Sequence, residues 1–428
     1  MRYRIKNGLL LFYSDKRFFV KKDDLFINGS TIEAIGTQGI NDIEAYEVID
    51  ADNKLIMPGL INSHTHIYMN FMKNSADDVP FDTWLFKRIF PIEAKMYKPD
   101  FYWATLLGCI EMIKTGTTCC LDMHICENEC AKAVSESGMR GFIGKCITGE
   151  DLYTDGYESF KNALEEKEAY ESDLIKFVLS PHSVYACSPK LLGQISREAQ
   201  TRRMLKHIHL SESNKEITDA LAEYGKTPVA LLNDIGFLDS ETIAAHCVKL
   251  NDNDIDILSN KKVNVVTNPS SNAKLGNGVS RVSDMLKSNI NVCLGTDSAA
   301  SNNTLNMFRE MGIFSILHKA ITEKGSVLSA GDVLECTMIN PAKALKMNGK
   351  IGCISVGAYA DLLFIDLNCP SLFPNNNIIS SLCYSANGSE VDSVMINGRF
   401  VMKNRVLTFL DAERIYYEND RIRNKYLT

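Results

Sequence analysis

The sequence predicts an α/β chain: a (β/α)8 TIM barrel over residues 58–349, flanked by a β-sandwich built from both chain ends, 1–57 and 350–428. Three observations predict it. Between 58 and 349, short apolar runs alternate with segments of helix length, eight times over, as repeated parallel βα units require. Outside that stretch, both ends carry short apolar runs punctuated by glycine, an all-β pattern. Five of the eight histidines, His64, His66, His182, His209 and His246, stand at the ends of predicted barrel strands. That is the face on which such barrels carry their chemistry.

Taken in order, residues 9–13, 24–27, 31–35 and 47–49 read as short strands, with Gly29-Ser30 and Gly36 as turns. The opening barrel strand is an apolar run from Lys54 to Ile61 that leads into Asn62-Ser63-His64-Thr65-His66. Residues 99–114 form a helix and 117–122 the second strand. A helix over 130–137, closed by Gly138, precedes the third strand at 141–144. The remaining strands are 176–180, 205–209, 242–246, 263–267 and 291–295. After 350 the β pattern returns at 360–366 and 391–399, and a helix of mixed charge, 412–426, ends the chain.

Hydrophobic content of 45% and charged content of 23% are those of a globular chain with an ample core. A net charge of −7 offers no electrostatic footprint for nucleic acid or an anionic membrane. No run approaches the roughly 18 apolar residues of a spanning helix. The opening Met1-Arg2-Tyr3-Arg4-Ile5-Lys6 leads into a strand rather than a signal peptide. Thirteen scattered cysteines without a CxxC pair read as reduced, mostly buried thiols, so the expected location is cytoplasmic.

Side chains i and i+2 of a strand point the same way, so His64 and His66 project together, half of a divalent-metal site. With His209 and Asp297 they make a set of three nitrogens and one oxygen with room for water. A metal so held lowers the pKa of water toward neutrality. Glu212, three residues past His209, is placed to shuttle a proton. His246 either holds the resulting hydroxide or stabilises developing charge. Asp297 taken alone could instead cap the next helix; within this set it reads as a ligand. His207 shares the parity of His209 but lies deeper, a core or supporting position. His124 and His318 are given no catalytic part.

The order His-x-His, His-x-x-Glu, Ala-His-Cys, Gly-Thr-Asp-Ser resembles the amidohydrolase superfamily over essentially the whole chain. The segments 84–93, 268–278 and 295–303 resemble its methylthioadenosine/S-adenosylhomocysteine deaminase branch. The resemblance implies hydrolytic deamination of an adenine nucleoside, with Glu212 and Asp297 relaying protons. Deamination or dechlorination of another heterocycle, such as guanine or an s-triazine, is the alternative. It implies that Glu93 accepts hydrogen bonds from ribose hydroxyls, that His182 lies near ribose and purine, and that Trp84 lines the pocket. Lys145 stands where relatives that take S-adenosylhomocysteine carry an arginine for its carboxylate. Lysine lacks the bidentate fork, and a neutral 5′ group fits better. Thr267 replaces a histidine that many relatives carry before Asn-Pro. The fourth strand ends in Ser180-Pro181-His182 without the bridging lysine of binuclear members, so one metal is implied, zinc with iron as the alternative. The expected partner is a small nucleoside, with no nucleic acid or membrane, and the resemblance permits a homo-oligomer.

Overall fold

The apolar run from Lys54 is two strands, divided at Gly59. A computed structural model describes the chain except Gly39, Asn41, Asp42, Glu127 and Thr428. Lys54–Pro58 pairs with Leu9–Ser14 and Leu362–Asp366, whereas Leu60–Thr65 opens the barrel beside Thr117–His124. A Cβ at position 59 would lie 1.9 Å from Thr118 Oγ1, so only glycine lets the chain cross from one sheet to the other.

The barrel strands run in order Leu60–Thr65, Thr117–His124, Arg140–Ile147, a broken fourth of Ile175–Phe177 and Ser180–Pro181, Lys206–Leu210, Thr242–His246, Asn264–Thr267 and Asn291–Leu294. Neighbours pair in parallel within two halves. One seam closes where Leu179 N–H donates to Leu205 C=O and His207 N–H to Leu179 C=O, both 2.9 Å. The other closes where Asp297 N–H donates to His64 C=O at 2.9 Å. Inward residues such as Ile61, Leu121, Phe142, Ile243 and Val266 fill the interior. Outward residues, including Ile143, Ile147 and Ile208, pack beneath the helices.

Strands from both ends of the chain share the flanking sandwich. In its seven-stranded sheet, Lys54–Pro58 lies between Leu9–Ser14 and Leu362–Asp366. The four-stranded sheet is made by Arg2–Lys6, Leu25–Asn28, Thr31–Ile35 and Glu47–Asp50. Ile5, Leu10, Leu25, Ile56, Leu362 and Phe364 form the core between the sheets. The sandwich meets the barrel at a buried ion pair. Arg140 Nε and Nη2 donate to Asp361 at 2.7 and 3.2 Å, and Nη1 donates to Asp173 C=O. The Asp361 charge holds the guanidinium above its ordinary pKa against the opposing effect of burial.

Ala412–Tyr426, grouped in sequence with the sandwich, lies instead against the barrel helix Lys98–Lys114. Its Arg421, Lys425 and Tyr426 all donate to the buried carboxylate of Asp100. Two π-helical turns, Thr83–Ile89 and Glu335–Ile339, each end just before a proline, Pro91 and Pro341. A proline ring clashes with the carbonyl four residues back, and the turn before it widens to i→i−5 bonding. No helix among the described residues is long and apolar enough to cross a membrane.

Candidate metal centre and its cavity

The C-terminal strand ends bring His64, His66, His209, His246 and Asp297 together. Each ring is held through its Nδ1. His66 Nδ1 donates to Met123 C=O at 2.7 Å, and His209 Nδ1 donates to His182 C=O at 2.9 Å. His64 Nδ1 lies 2.9 Å from His207 Nε2, the supporting position that parity assigned to His207. Each Nε2 therefore turns a lone pair toward a common point. His66 and His209 Nε2 lie 3.2 Å apart, and buried His64 Nε2 has no hydrogen-bond partner. Asp297 Oδ1 lies 3.6 Å from His64 Nε2 and 3.5 Å from His66 Nε2. An orphaned buried nitrogen shared by two convergent triads, His64 with His66 and His209 and His64 with His246 and Asp297, fits a divalent cation.

Asp297 is not a helix cap. Ser298 caps Ala299–Asn302, whereas Asp297 Oδ2 accepts from Ser271 Oγ at 2.6 Å and Ser301 Oγ at 2.9 Å. Those bonds aim Oδ1 at the histidines. Glu310, buried below, accepts from Ser270 N–H and Oγ and from Asn302, fixing both serine-bearing segments. His246, Asp297 and Ser211 adopt left-handed backbone, φ 73°, 60° and 51°. Strain of about 1–2 kcal/mol at each is concentrated at the strand ends that carry the site.

Glu212 follows the fifth strand. Its Oε1 accepts from Asn277 Nδ2 at 3.1 Å, and Oε2 lies 3.8 Å from His246 Nε2. Burial, then the charge of Asp297, pushes its carboxyl well above the ordinary range. Asn272 Oδ1 lies 2.8 Å from His246 Nδ1 and orients that ring. Glu216 accepts the backbone N–H groups of Ser211, at 3.0 Å, and Glu212, at 2.7 Å, and so fixes the turn that presents Glu212.

A cavity of about 380 Å³ opens over these groups. Glu93, Trp84 and His182 line it with Glu212, His246 and Asp297. Glu93 accepts from Tyr68 Oη at 2.5 Å, and burial raises its pKa. Trp84 Nε1 donates to Ala300 C=O at 3.1 Å, which satisfies its polar edge within the cavity wall. Lys145 is different. Strand alternation turns Cys146 and Thr148 into the cavity, while Lys145 Nζ lies in the helix layer and donates to Ile125 C=O at 2.9 Å. Thr267 is also off the cavity and lies 3.3 Å from Ser280 Oγ, which donates to His246 C=O.

The sequence reading did not single out Tyr68, Asn272, Asn277, Glu216 or Glu310. Ser213-x-x-Glu216 carries a helix-start signature that would have drawn attention to Glu216, and Ser213 does cap Asn214–Tyr224. Asn272 and Asn277 lie within the 268–278 segment that carries the resemblance, though nothing there marks them individually, and Tyr68 leaves no pattern.

A (β/α)8 barrel with histidines and a carboxylate converging at its strand ends under a cavity is the architecture of a metal-dependent hydrolase. The chain belongs to the amidohydrolase family, whose model matches residues 55–401. It is 42% identical over 424 residues to the 5-methylthioadenosine/S-adenosylhomocysteine deaminase of Caldanaerobacter subterraneus subsp. tengcongensis, covering 98% of each chain. It is 41% identical to the 5′-deoxyadenosine deaminase of Methanocaldococcus jannaschii, over 94% of this chain and 96% of that one. Among solved structures, a zinc-bound adenosine deaminase from Xanthomonas campestris superposes with a TM-score of 0.93 at 28% identity, over 99% of this chain and 98% of that one.

Proposed function

We propose that this hydrolase deaminates adenine nucleosides, releasing ammonia and the inosine analogue, with one zinc ion held by His64, His66, His209 and Asp297. The observation that carries this is the pairing within one cavity. Buried Glu212 and His246 flank the donor set, and the buried carboxylate Glu93 is free of any cationic partner among the described residues. The first pair suits proton transfer at the amidine of an adenine, and Glu93 suits a ribose diol. The full-length relatives act, by their names, on such nucleosides.

When bound, a divalent cation acidifies water and supplies the nucleophile near neutral pH. Glu212 is placed to carry a proton from the attacking water to N1 as oxygen adds to C6. Burial and the neighbouring Asp297 charge raise its carboxyl pKa, the direction that favours its carrying a proton. His246, with Nδ1 held by Asn272, turns Nε2 toward the same point and orients the water. The second water proton passes through Asp297 and Glu212 to the exocyclic amine as the C6–N bond breaks and ammonia leaves. Glu93 fixes the ribose, and Trp84 and His182 close the pocket around it.

The test is Glu212→Gln in metal-replete enzyme, followed by the ultraviolet change on adenosine deamination. Metal content should stay at the wild-type stoichiometry while kcat falls by about 10³-fold or more. Near-normal turnover would remove Glu212 from the reaction. Turnover of free adenine or guanine alone, with every nucleoside inert, would overturn the substrate assignment.

A further inference from the structure

Building on the deaminase reading, we infer that this chain selects adenine nucleosides whose 5′ substituent is small, uncharged and apolar, such as a methylthio group or a bare methyl carbon, and discriminates against an amino-acid tail. Two observations carry this. No lysine or arginine lines the cavity among the described residues, and its acidic side chains are Glu93, Glu212 and Asp297. Wherever a tail carboxylate came to rest inside, it would lose its water without gaining a cation. Ile125, Phe90 and Tyr185 line the same cavity and remain 38%, 37% and 37% exposed, so apolar surface at the mouth is left for an apolar group to cover.

Lys145 is the cation nearest in sequence to the cavity wall, and it is already engaged. It is 5% exposed and bonded to Ile125 C=O. Helix Tyr157–Tyr170 packs on its strand, Arg140–Ile147, and Glu166 of that helix accepts the N–H of Asn128 at 2.9 Å and lies 3.1 Å from His124 Nε2. Freeing the ammonium would break its bond to the backbone that places Ile125 against the cavity. Lys145 therefore holds Ile125 in the cavity wall without meeting the tail itself, as a positioning residue.

The experiment measures kcat/KM of the metal-replete full chain for 5′-methylthioadenosine, 5′-deoxyadenosine, adenosine and S-adenosylhomocysteine. The first two should exceed S-adenosylhomocysteine by about 100-fold or more. Equal or better use of S-adenosylhomocysteine overturns the inference while leaving the deaminase reading intact; inertness of all four nucleosides overturns that reading itself. Ile125→Arg should move the methylthioadenosine-to-homocysteine ratio about 10-fold or more toward the charged tail. Thr148→Arg serves the same purpose should the first variant not fold, and an unmoved ratio in a folded variant counts against the wall assignment. Lys145→Met should lower both activities by one factor and keep their ratio. A selective loss of S-adenosylhomocysteine turnover would show that Lys145 reads the carboxylate and would overturn the inference.

Discussion

Glu216 touches neither the donor set nor the cavity, yet the geometry makes turnover depend on it. Its carboxylate accepts two backbone N–H groups, of Ser211 and Glu212, at 3.0 and 2.7 Å, and Ser211 is held at φ 51°. Such hydrogen bonds contribute about 0.5–1.5 kcal/mol each, and about 1.5–3 when the acceptor is charged; burial pushes the Glu216 carboxyl up to about 7. A left-handed non-glycine residue stores about 1–2 kcal/mol that relaxes once the clamp is gone. Glu216→Gln keeps the shape and one acceptor oxygen but turns an NH2 toward the second N–H. One bond is lost and a buried donor is left unpaired, so stability should fall by about 2–4 kcal/mol. Relaxation of the turn displaces Glu212, and a shift of about 1 Å costs about 10²-fold in rate. His209 keeps its own bond to His182 C=O, so metal content should not change. The assay is kcat, KM and metal stoichiometry on the purified variant. Thr227→Ala is the control. It removes the cap of Pro228–Asp234, outside the cavity lining, for a smaller loss of about 1–2 kcal/mol. The control should retain kcat. A Glu216→Gln enzyme with kcat within about 3-fold of wild type, despite its lost stability, would refute the positioning role.

Glu93→Ala should cost nucleoside kcat/KM about 10²–10³-fold, because the diol loses its charged acceptor; a variant that deaminates nucleosides normally would free Glu93 from that role. Arg140→Met leaves Asp361 buried without its cation and should destabilise the chain by about 3–5 kcal/mol in chemical denaturation. Adding Asp361→Asn should recover part of that loss, and additive losses would show that the pair is not coupled. Burial pushes the Asp100 carboxyl up, but the hydrogen bonds from Arg421, Lys425 and Tyr426 outweigh it and hold the pKa below 3.8. A depressed acid contributes stability that is present above its unfolded pKa and is lost as pH falls through the folded value. The stability difference between wild type and Asp100→Asn should therefore hold from neutral pH down to about 4 and shrink below it; a gap that closes between pH 7 and 5 would contradict the assignment.

The donor set was legible because a barrel writes it in parity. His64 and His66, His207 and His209 alternate with residues of the opposite face; His64, His66 and His209 stand at strand ends, and His207 lies deeper. The break at Gly59 was not legible. Strands on both sides of it are buried, so the apolar run shows no change of period where the chain leaves the sandwich for the barrel. Supporting carboxylates were hidden for a different reason. Glu216 shows only a helix-start signature and Glu310 the spacing of an ordinary surface charge, and the backbone N–H groups they bind have no residue type to read.

Lys145 shows how far parity reaches and where it fails in use. The third strand reads as 141–144 in sequence, which leaves Lys145 just beyond its end, where the resemblance sets it against the substrate's carboxylate. The strand in fact runs Arg140–Ile147. Once it is extended, Phe142, Cys146 and Thr148 fall on the inner face, and Ile143, Lys145 and Ile147 fall on the outer one. A glycine-rich start, Gly141 and Gly144, had masked the strand's length. Gly144 is there because a Cβ would come within 1.9 Å of Ser180 Oγ on the neighbouring strand, a packing demand and not a strand end. The residue that resemblance assigned to the substrate's charge is turned from the cavity by the alternation that turns the histidines toward it.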